Sequence, residues 1–267
     1  MSGWDCHAHL FGPYARFPLA GERSYTPPEA TREQYLALLA QLGFSQGVLV
    51  HPSAYGDNFS LLLDALAADA RLRGVVVVRD PTAAQLRRWR AQGVRAARFS
   101  HRSAPGANFA GSAALDDLVR LAPMLADANM HAELWTDCQA LPGIAGLLAA
   151  LPVTVVIDHM GGFGWQAGVN EPGFQALVRL VASGRAWVKL CAYRNLMTAP
   201  GLEPGRAFHS ALLQANPAQL VWGTDWPHLR VEPAPATGDL LDTFRRWTGD
   251  ADIERAILVD NPARLYG

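Results

Sequence analysis

Trp4-Asp5-Cys6-His7-Ala8-His9-Leu10-Phe11-Gly12-Pro13 is an extended apolar run that carries two histidines two positions apart and closes on Gly-Pro. A strand repeats every two residues, so His7 and His9 are expected to project to the same side. Gly12-Pro13 interrupts the run, which puts the pair at the C-terminal end of a first strand spanning 5–10.

Seven more short β-rich runs follow, over 47–51, 74–78, 94–99, 131–135, 153–159, 187–191 and 220–225. Most are almost continuously apolar rather than alternating, the pattern of parallel strands buried on both faces. Helical patterns separate them, over 32–42, 58–68, 83–92, 114–126, 141–150, 173–183 and 207–215, with a last one over 238–247 after the eighth strand. Pro81 and Thr82 open the third helix, Gly93 closes it before strand four, and Gly43 closes the first. Eight strands each followed by a helix is the count of an α/β protein of the (β/α)8 TIM-barrel class. No Gly-x-Gly-x-x-Gly follows the first strand, as a doubly wound dinucleotide-binding sheet would require. With no linker, repeat or charge block, residues 1–267 are read as a single domain.

Composition narrows the class. Half of the 267 residues are apolar and 18% are charged, enough to bury a substantial core. A formal charge of −1 offers no basic field for nucleic acid or an anionic membrane. The apolar runs are too short to span a bilayer, and Met1 leads almost directly into the first strand, leaving no room for a signal peptide. Three cysteines point to reduced thiols in a cytoplasmic protein, with Cys6 and Cys191 as core residues. Nothing distinguishes a monomer from a homo-oligomer.

The longer excursions all follow strands, where barrel active sites are built. The polar residues at those ends are His7 and His9 after strand one, Arg98 at strand four, Trp135 at strand five, Asp158-His159 at strand six, Arg194 after strand seven and Asp225 at strand eight. Three histidines, an aspartate and two arginines at one end of an apolar barrel need a common purpose, because buried charges need partners. Arg102, Tyr25 and His51 are further candidates to line the site. Glu133 shares the parity of Trp135 and is open between an internal ion-pair partner and a site residue. His131 and Arg95 begin their strands and belong at the opposite end; His209 is expected on a helix surface; Asn261-Pro262 reads as an N-cap with proline following.

This set suits hydrolysis. Asp225 can take a proton from water, while His7, His9 and His159 polarise a carbonyl and stabilise the oxyanion. Alternatively His7, His9, His159 and Asp225 supply the ligands of one catalytic zinc. A two-metal site is not expected, since strand four offers neither lysine nor glutamate to bridge two ions. Arg98, Arg102 and Arg194 point to an anionic substrate, because the guanidinium fork matches a carboxylate.

Asp5-Cys6-His7-Ala8-His9, Asp158-His159-Met160-Gly161, Val221-Trp222-Gly223-Thr224-Asp225-Trp226-Pro227-His228 and Asp260-Asn261-Pro262-Ala263-Arg264-Leu265-Tyr266 resemble the amidohydrolase superfamily, in its amidohydrolase-related branch. The resemblance runs essentially end to end and implies a (β/α)8 barrel with hydrolysis at its C-terminal face. Within the branch, Phe11-Gly12-Pro13, Phe17-Pro18 and Glu22-Arg23-Ser24-Tyr25-Thr26-Pro27 are similar to the 2-pyrone-4,6-dicarboxylate lactonase family. That similarity implies a lactone carbonyl held by His7, His9 and His159, Asp225 as base, carboxylates met by Arg98 and Arg194, Tyr25 against substrate, and no required metal. Three positions depart from the family pattern. Arg102 comes earlier than the family's second arginine, Trp135 stands where a tyrosine is usual, and Cys191 replaces a small hydroxyl residue.

The sequence therefore predicts a hydrolase that opens a small carboxylate-bearing cyclic lactone without a cofactor. The alternatives are a zinc-dependent sugar-lactone hydrolase or decarboxylase of the same superfamily and, from another class, a non-catalytic dicarboxylate-binding protein.

Overall fold

The computed structural model describes residues 3–109 and 111–267, and its eight strands form one parallel sheet in chain order. These are β1 (Gly3–Ala8), β2 (Phe44–Val50), β3 (Leu72–Val76), β4 (Val94–His101), β5 (His131–Thr136), β6 (Val155–Ile157), β7 (Ala186–Leu190) and β8 (Leu220–Trp222). Seven consecutive parallel ladders join β1 through to β8. The seam between β8 and β1 is closed by single contacts: Asp225 N donates to His7 O at 2.8 Å, and His9 N donates to Trp226 O at 2.8 Å. Gly223 makes that approach possible, because a Cβ there would lie 2.7 Å from the Cβ of His7. The expected (β/α)8 barrel is the observed fold.

Helices α1 (Arg32–Leu42), α2 (Ser60–Ala68), α3 (Ala83–Ala91), α4 (Leu115–Asp127), α5 (Leu141–Ala150), α6 (Pro172–Ala182), α7 (Arg206–Ala215) and α8 (Thr237–Thr248) surround the strands. Thr31 and Thr82 cap α1 and α3 through reciprocal capping boxes with Gln34 and Gln85, and Gly43 ends α1 in the left-handed conformation. The outer faces of the strands meet the apolar stripes of these helices in one large cluster, while a smaller one, including Trp4, Val48, Val75 and Tyr266, fills the barrel's closed end. No helix among the described residues is long and apolar enough to cross a membrane.

Simple alternation fails in β1. Its register shifts between Asp5 and Ala8, so two residues of equal parity part company. Asp5 faces α1 and the seam, accepting from Tyr35 Oη (3.0 Å), Thr224 N (2.8 Å) and Thr224 Oγ1 (2.7 Å). His7 instead enters the barrel.

Strands six and eight are shorter than the apolar runs predict. Asp158-His159 and Asp225 lie past their ends, with φ of 48° at His159, 53° at Met160 and 56° at Asp225. A left-handed backbone at non-glycine residues costs energy and is held only where the surroundings impose it. It swings the Asp225 and His159 side chains into the barrel mouth.

Two peripheral expectations are corrected. His209 is buried rather than on the surface, bonded to Thr248 Oγ1 at 3.1 Å between α7 and α8. Asn261 is not an N-cap. A π-helical turn (Ala256–Asp260) leads without a break into helix Asn261–Tyr266, and the Asn261 amide donates to Pro217 O and Leu220 O at 2.9 and 2.8 Å. His131 and Arg95 do lie at the closed end, where Arg95 Nε reaches Tyr266 O at 3.0 Å.

Candidate active site

A cavity of about 480 Å³ opens at the C-terminal ends of the strands. His9, Tyr25, His51, Arg98, Arg102 and Trp135 line it, as do His159, Arg194 and Asp225. Of the strand-end residues named from sequence, His7 and Asp158 are not on its wall; both are fully buried behind it.

Asp225 anchors the inner end. Arg194 donates through Nε to Asp225 Oδ2, and Tyr193 Oη donates to the same oxygen at 2.8 Å. The other oxygen, Oδ1, lies 3.4 Å from His9 Nε2 and 3.7 Å from His7 Nε2. Burial opposes charge on Asp225, but the Arg194 guanidinium and the surrounding histidines together outweigh it and hold the carboxyl well below the usual carboxylate range. Burial also lowers His159 to about 4, so that ring is neutral at pH 7. Arg194 lies in the short helical turn after β7 (Tyr193–Leu196), a position set by Asn195, whose amide donates to His159 O at 2.8 Å.

Beneath the cavity floor lies a charged layer that apolar patterning conceals. Lys189 on β7 and Glu133 on β5 are both fully buried and meet at 2.5 Å, which makes Glu133 an internal ion-pair partner. Lys189 Nζ also stands 3.1 Å from His7 Nδ1 and 3.3 Å from Asp158 Oδ1. Arg98 Nε bonds Asp158 Oδ2 at 2.7 Å. The lone lysine of Trp187-Val188-Lys189-Leu190 was the available signal, since a charge inside an apolar strand must be paired.

The outer wall is aromatic and cationic. Trp135 carries the Arg102 guanidinium 4.5 Å and that of Arg98 5.1 Å from its ring centroid. Arg230 sits 5.6 Å over Phe109, which in turn packs against Tyr25 and Trp135 at 5.8 and 5.3 Å. Sequence reading missed Arg230 and Phe109, because both lie in long loops with no periodicity to orient them. His51 is tied down through Nε2 to Gly56 O at 2.7 Å, and burial lowers it to about 4.

His7, His159 and Asp225 each offer one ligand atom within 4.8 Å of one another, a spacing that one divalent ion could span.

The family model described as Amidohydrolase matches residues 4–267. A 4-sulfomuconolactone hydrolase from Rhizobium radiobacter is 37% identical over 99% of this chain and 89% of its own. A 2-pyrone-4,6-dicarboxylate hydrolase from Comamonas testosteroni is 32% identical over 98% of this chain and 89% of its own. Among solved structures, a putative 2-pyrone-4,6-dicarboxylic acid hydrolase from Pseudomonas putida superimposes with a TM-score of 0.84 at 30% identity, covering 100% of this chain and 97% of that one. The chain belongs to the amidohydrolase family.

Proposed function

We propose that the protein hydrolyses the ester of a small cyclic lactone bearing carboxylate or sulfonate groups. The observation that carries this reading is Asp225, an ionised carboxylate kept beside three imidazoles at the bottom of a cavity walled by arginines. Asp225 takes a proton from water, whose oxygen bonds to the lactone carbonyl carbon. A histidine N–H at the inner end stabilises the oxyanion, and the ring C–O bond then breaks, its oxygen leaving as alkoxide or enolate and recovering the proton.

Substrate charge is read mainly by Arg102 and Arg230. Arg98 and Arg194 already bond Asp158 and Asp225, whereas Arg102 makes only a long 3.4 Å contact to Ala107 O. Trp135 and Phe109 provide flat faces for an unsaturated ring between those cations. The names of the relatives, whose lactones carry sulfonate or carboxylate, support this charge preference.

The reading requires no metal. The test is a panel of sulfonated, carboxylated and neutral lactones, assayed before and after exhaustive chelation. Hydrolysis of anionic lactones at least a hundredfold more efficient than of neutral ones, undiminished by chelation, is expected. Sugar-lactone hydrolysis or decarboxylation that chelation abolishes and zinc restores would favour the zinc-dependent reading. Binding of dicarboxylates without turnover would leave a binding protein.

A further inference from the structure

We infer that the two histidines of His7-Ala8-His9 are held in opposite tautomers, His7 by Lys189 and His9 by the carbonyl of Val50, so that the pair offers Asp225 one proton and one lone pair. Each assignment follows from what the neighbour can do. An ammonium has only protons to give, so with Lys189 Nζ 3.1 Å away, Nδ1 of His7 must be the bare nitrogen and Nε2 must carry the hydrogen. A carbonyl can only accept, so with Val50 O 2.8 Å away, Nδ1 of His9 must carry a hydrogen, and in the neutral ring Nε2 is then bare.

The competing partner for His7 Nδ1 is Asp158 Oδ1 at 3.4 Å, but that oxygen makes no hydrogen bond of acceptable geometry in the structure. Lys189 cannot turn away, because its ammonium is pinned 2.5 Å from Glu133, itself held by Tyr266 Oη at 2.8 Å. The Lys189 ammonium 3.1 Å from Nδ1 opposes a second positive charge on the ring, which favours a neutral His7 with a single proton. The two Nε2 atoms lie 3.3 Å apart, which fits one N–H facing one lone pair and not two of a kind.

The consequence concerns which oxygen these residues receive. His7 Nε2, His9 Nε2 and Asp225 Oδ1 stand 3.3, 3.4 and 3.7 Å apart, close enough for one oxygen to hydrogen-bond all three. A water there accepts from His7 and donates to His9 and Asp225, which leaves its remaining lone pair for attack. A carbonyl oxygen, having no proton to give, would face a carboxylate and a bare imidazole nitrogen. The His-x-His pair therefore positions the nucleophile, and the oxyanion falls to His159, which lines the cavity and has no partner for its Nδ1. With Nε2 protonated and Nδ1 turned to Lys189 at 3.1 Å, His7 offers a metal no free lone pair in this arrangement. Only the role given to the water rests on the lactone reading; the tautomers do not.

The experiment is two-bond ¹H–¹⁵N correlation of histidine-labelled protein at pH 7.5, with signals assigned by loss in His7→Asn and His9→Asn. His7 protonated at Nε2 and His9 at Nδ1 is the expected result. His7 protonated at Nδ1, the same tautomer for both, or an imidazolium at either would overturn the inference, whatever the substrate panel shows. The double variant Lys189→Met/Glu133→Gln removes the buried pair together. His7 should then lose its single tautomer and kcat fall about a hundredfold with KM changed less than threefold, whereas an unchanged tautomer would overturn the role of Lys189. Should that variant not fold, the wild-type spectrum decides alone.

Discussion

Arg98 Nε donates to Asp158 Oδ2 at 2.7 Å, joining the end of β4 to the turn after β6 beneath the cavity floor. Arg102, four residues on, has no such anchor and lies against Trp135. The two arginines, both read from sequence as candidates to meet an anionic substrate, therefore do different work. Arg98→Met strips the fully buried Asp158 of one of its two cationic partners, leaving Lys189 at 3.3 Å, and the loss of that buried charged hydrogen bond costs about 2 kcal/mol. A marked fall in Tm together with weaker substrate binding is expected. Arg102→Met should leave Tm nearly unchanged and raise KM for an anionic lactone about tenfold. Thermal melts and steady-state kinetics on both variants separate the roles, and equal losses of Tm would contradict them.

The β1–β8 seam depends on Asp5. Its carboxylate gathers Tyr35 Oη, His7 N, Thr224 N and Thr224 Oγ1 at the point where no regular ladder closes the barrel. Asp5→Ala leaves several buried donors unpaired and is expected to cost roughly 3 kcal/mol or more. Thr224→Val, which removes one donor of the group, should cost about 1 kcal/mol. Chemical denaturation gives both numbers; a smaller loss for Asp5→Ala than for Thr224→Val would refute the assignment.

Stability should fall as pH drops from neutral toward 4. Burial lowers His51, His159, His209 and His228 from 6.5 to about 4. Between those values the unfolded chain binds protons that the folded chain refuses, so acid favours unfolding, by up to about 3 kcal/mol per ring at full development. Asp5 acts in the opposite sense. Burial raises it to about 6, so between 6 and 3.8 the folded state holds a proton the unfolded state lacks, and acid is stabilising there. Four rings against one carboxyl leave a net loss. Asp225 and Asp158, held well below 3.8, add their own loss only at lower pH. A Tm that is flat from pH 7.5 to 4.5 would contradict the burial of these histidines.

The barrel was legible because its strands are apolar on both faces and punctuated by caps and glycines, signals that local chemistry imposes. The site was legible to the extent that its residues end strands: His9, His159, Arg98, Trp135 and Asp225 were all placed at the mouth by strand position. What sequence could not convey depends on geometry between distant segments. Strict alternation gave Asp5 and His7 one face, and only the register shift in β1 separates them. Lys189, 182 residues from His7, reads as an anomaly in an apolar strand until the barrel closes and brings it to Nδ1. Arg230 and Phe109 meet across the cavity from two irregular loops, a contact no periodicity encodes.

Asp225→Asn tests the central claim most directly. The amide keeps the shape of the side chain and can still accept from Tyr193 or Arg194, but it cannot take a proton from water. Turnover of an anionic lactone is expected to fall about a thousandfold or more, with the substrate still bound at near wild-type affinity by calorimetry. Turnover within tenfold of wild type in this variant would contradict the account.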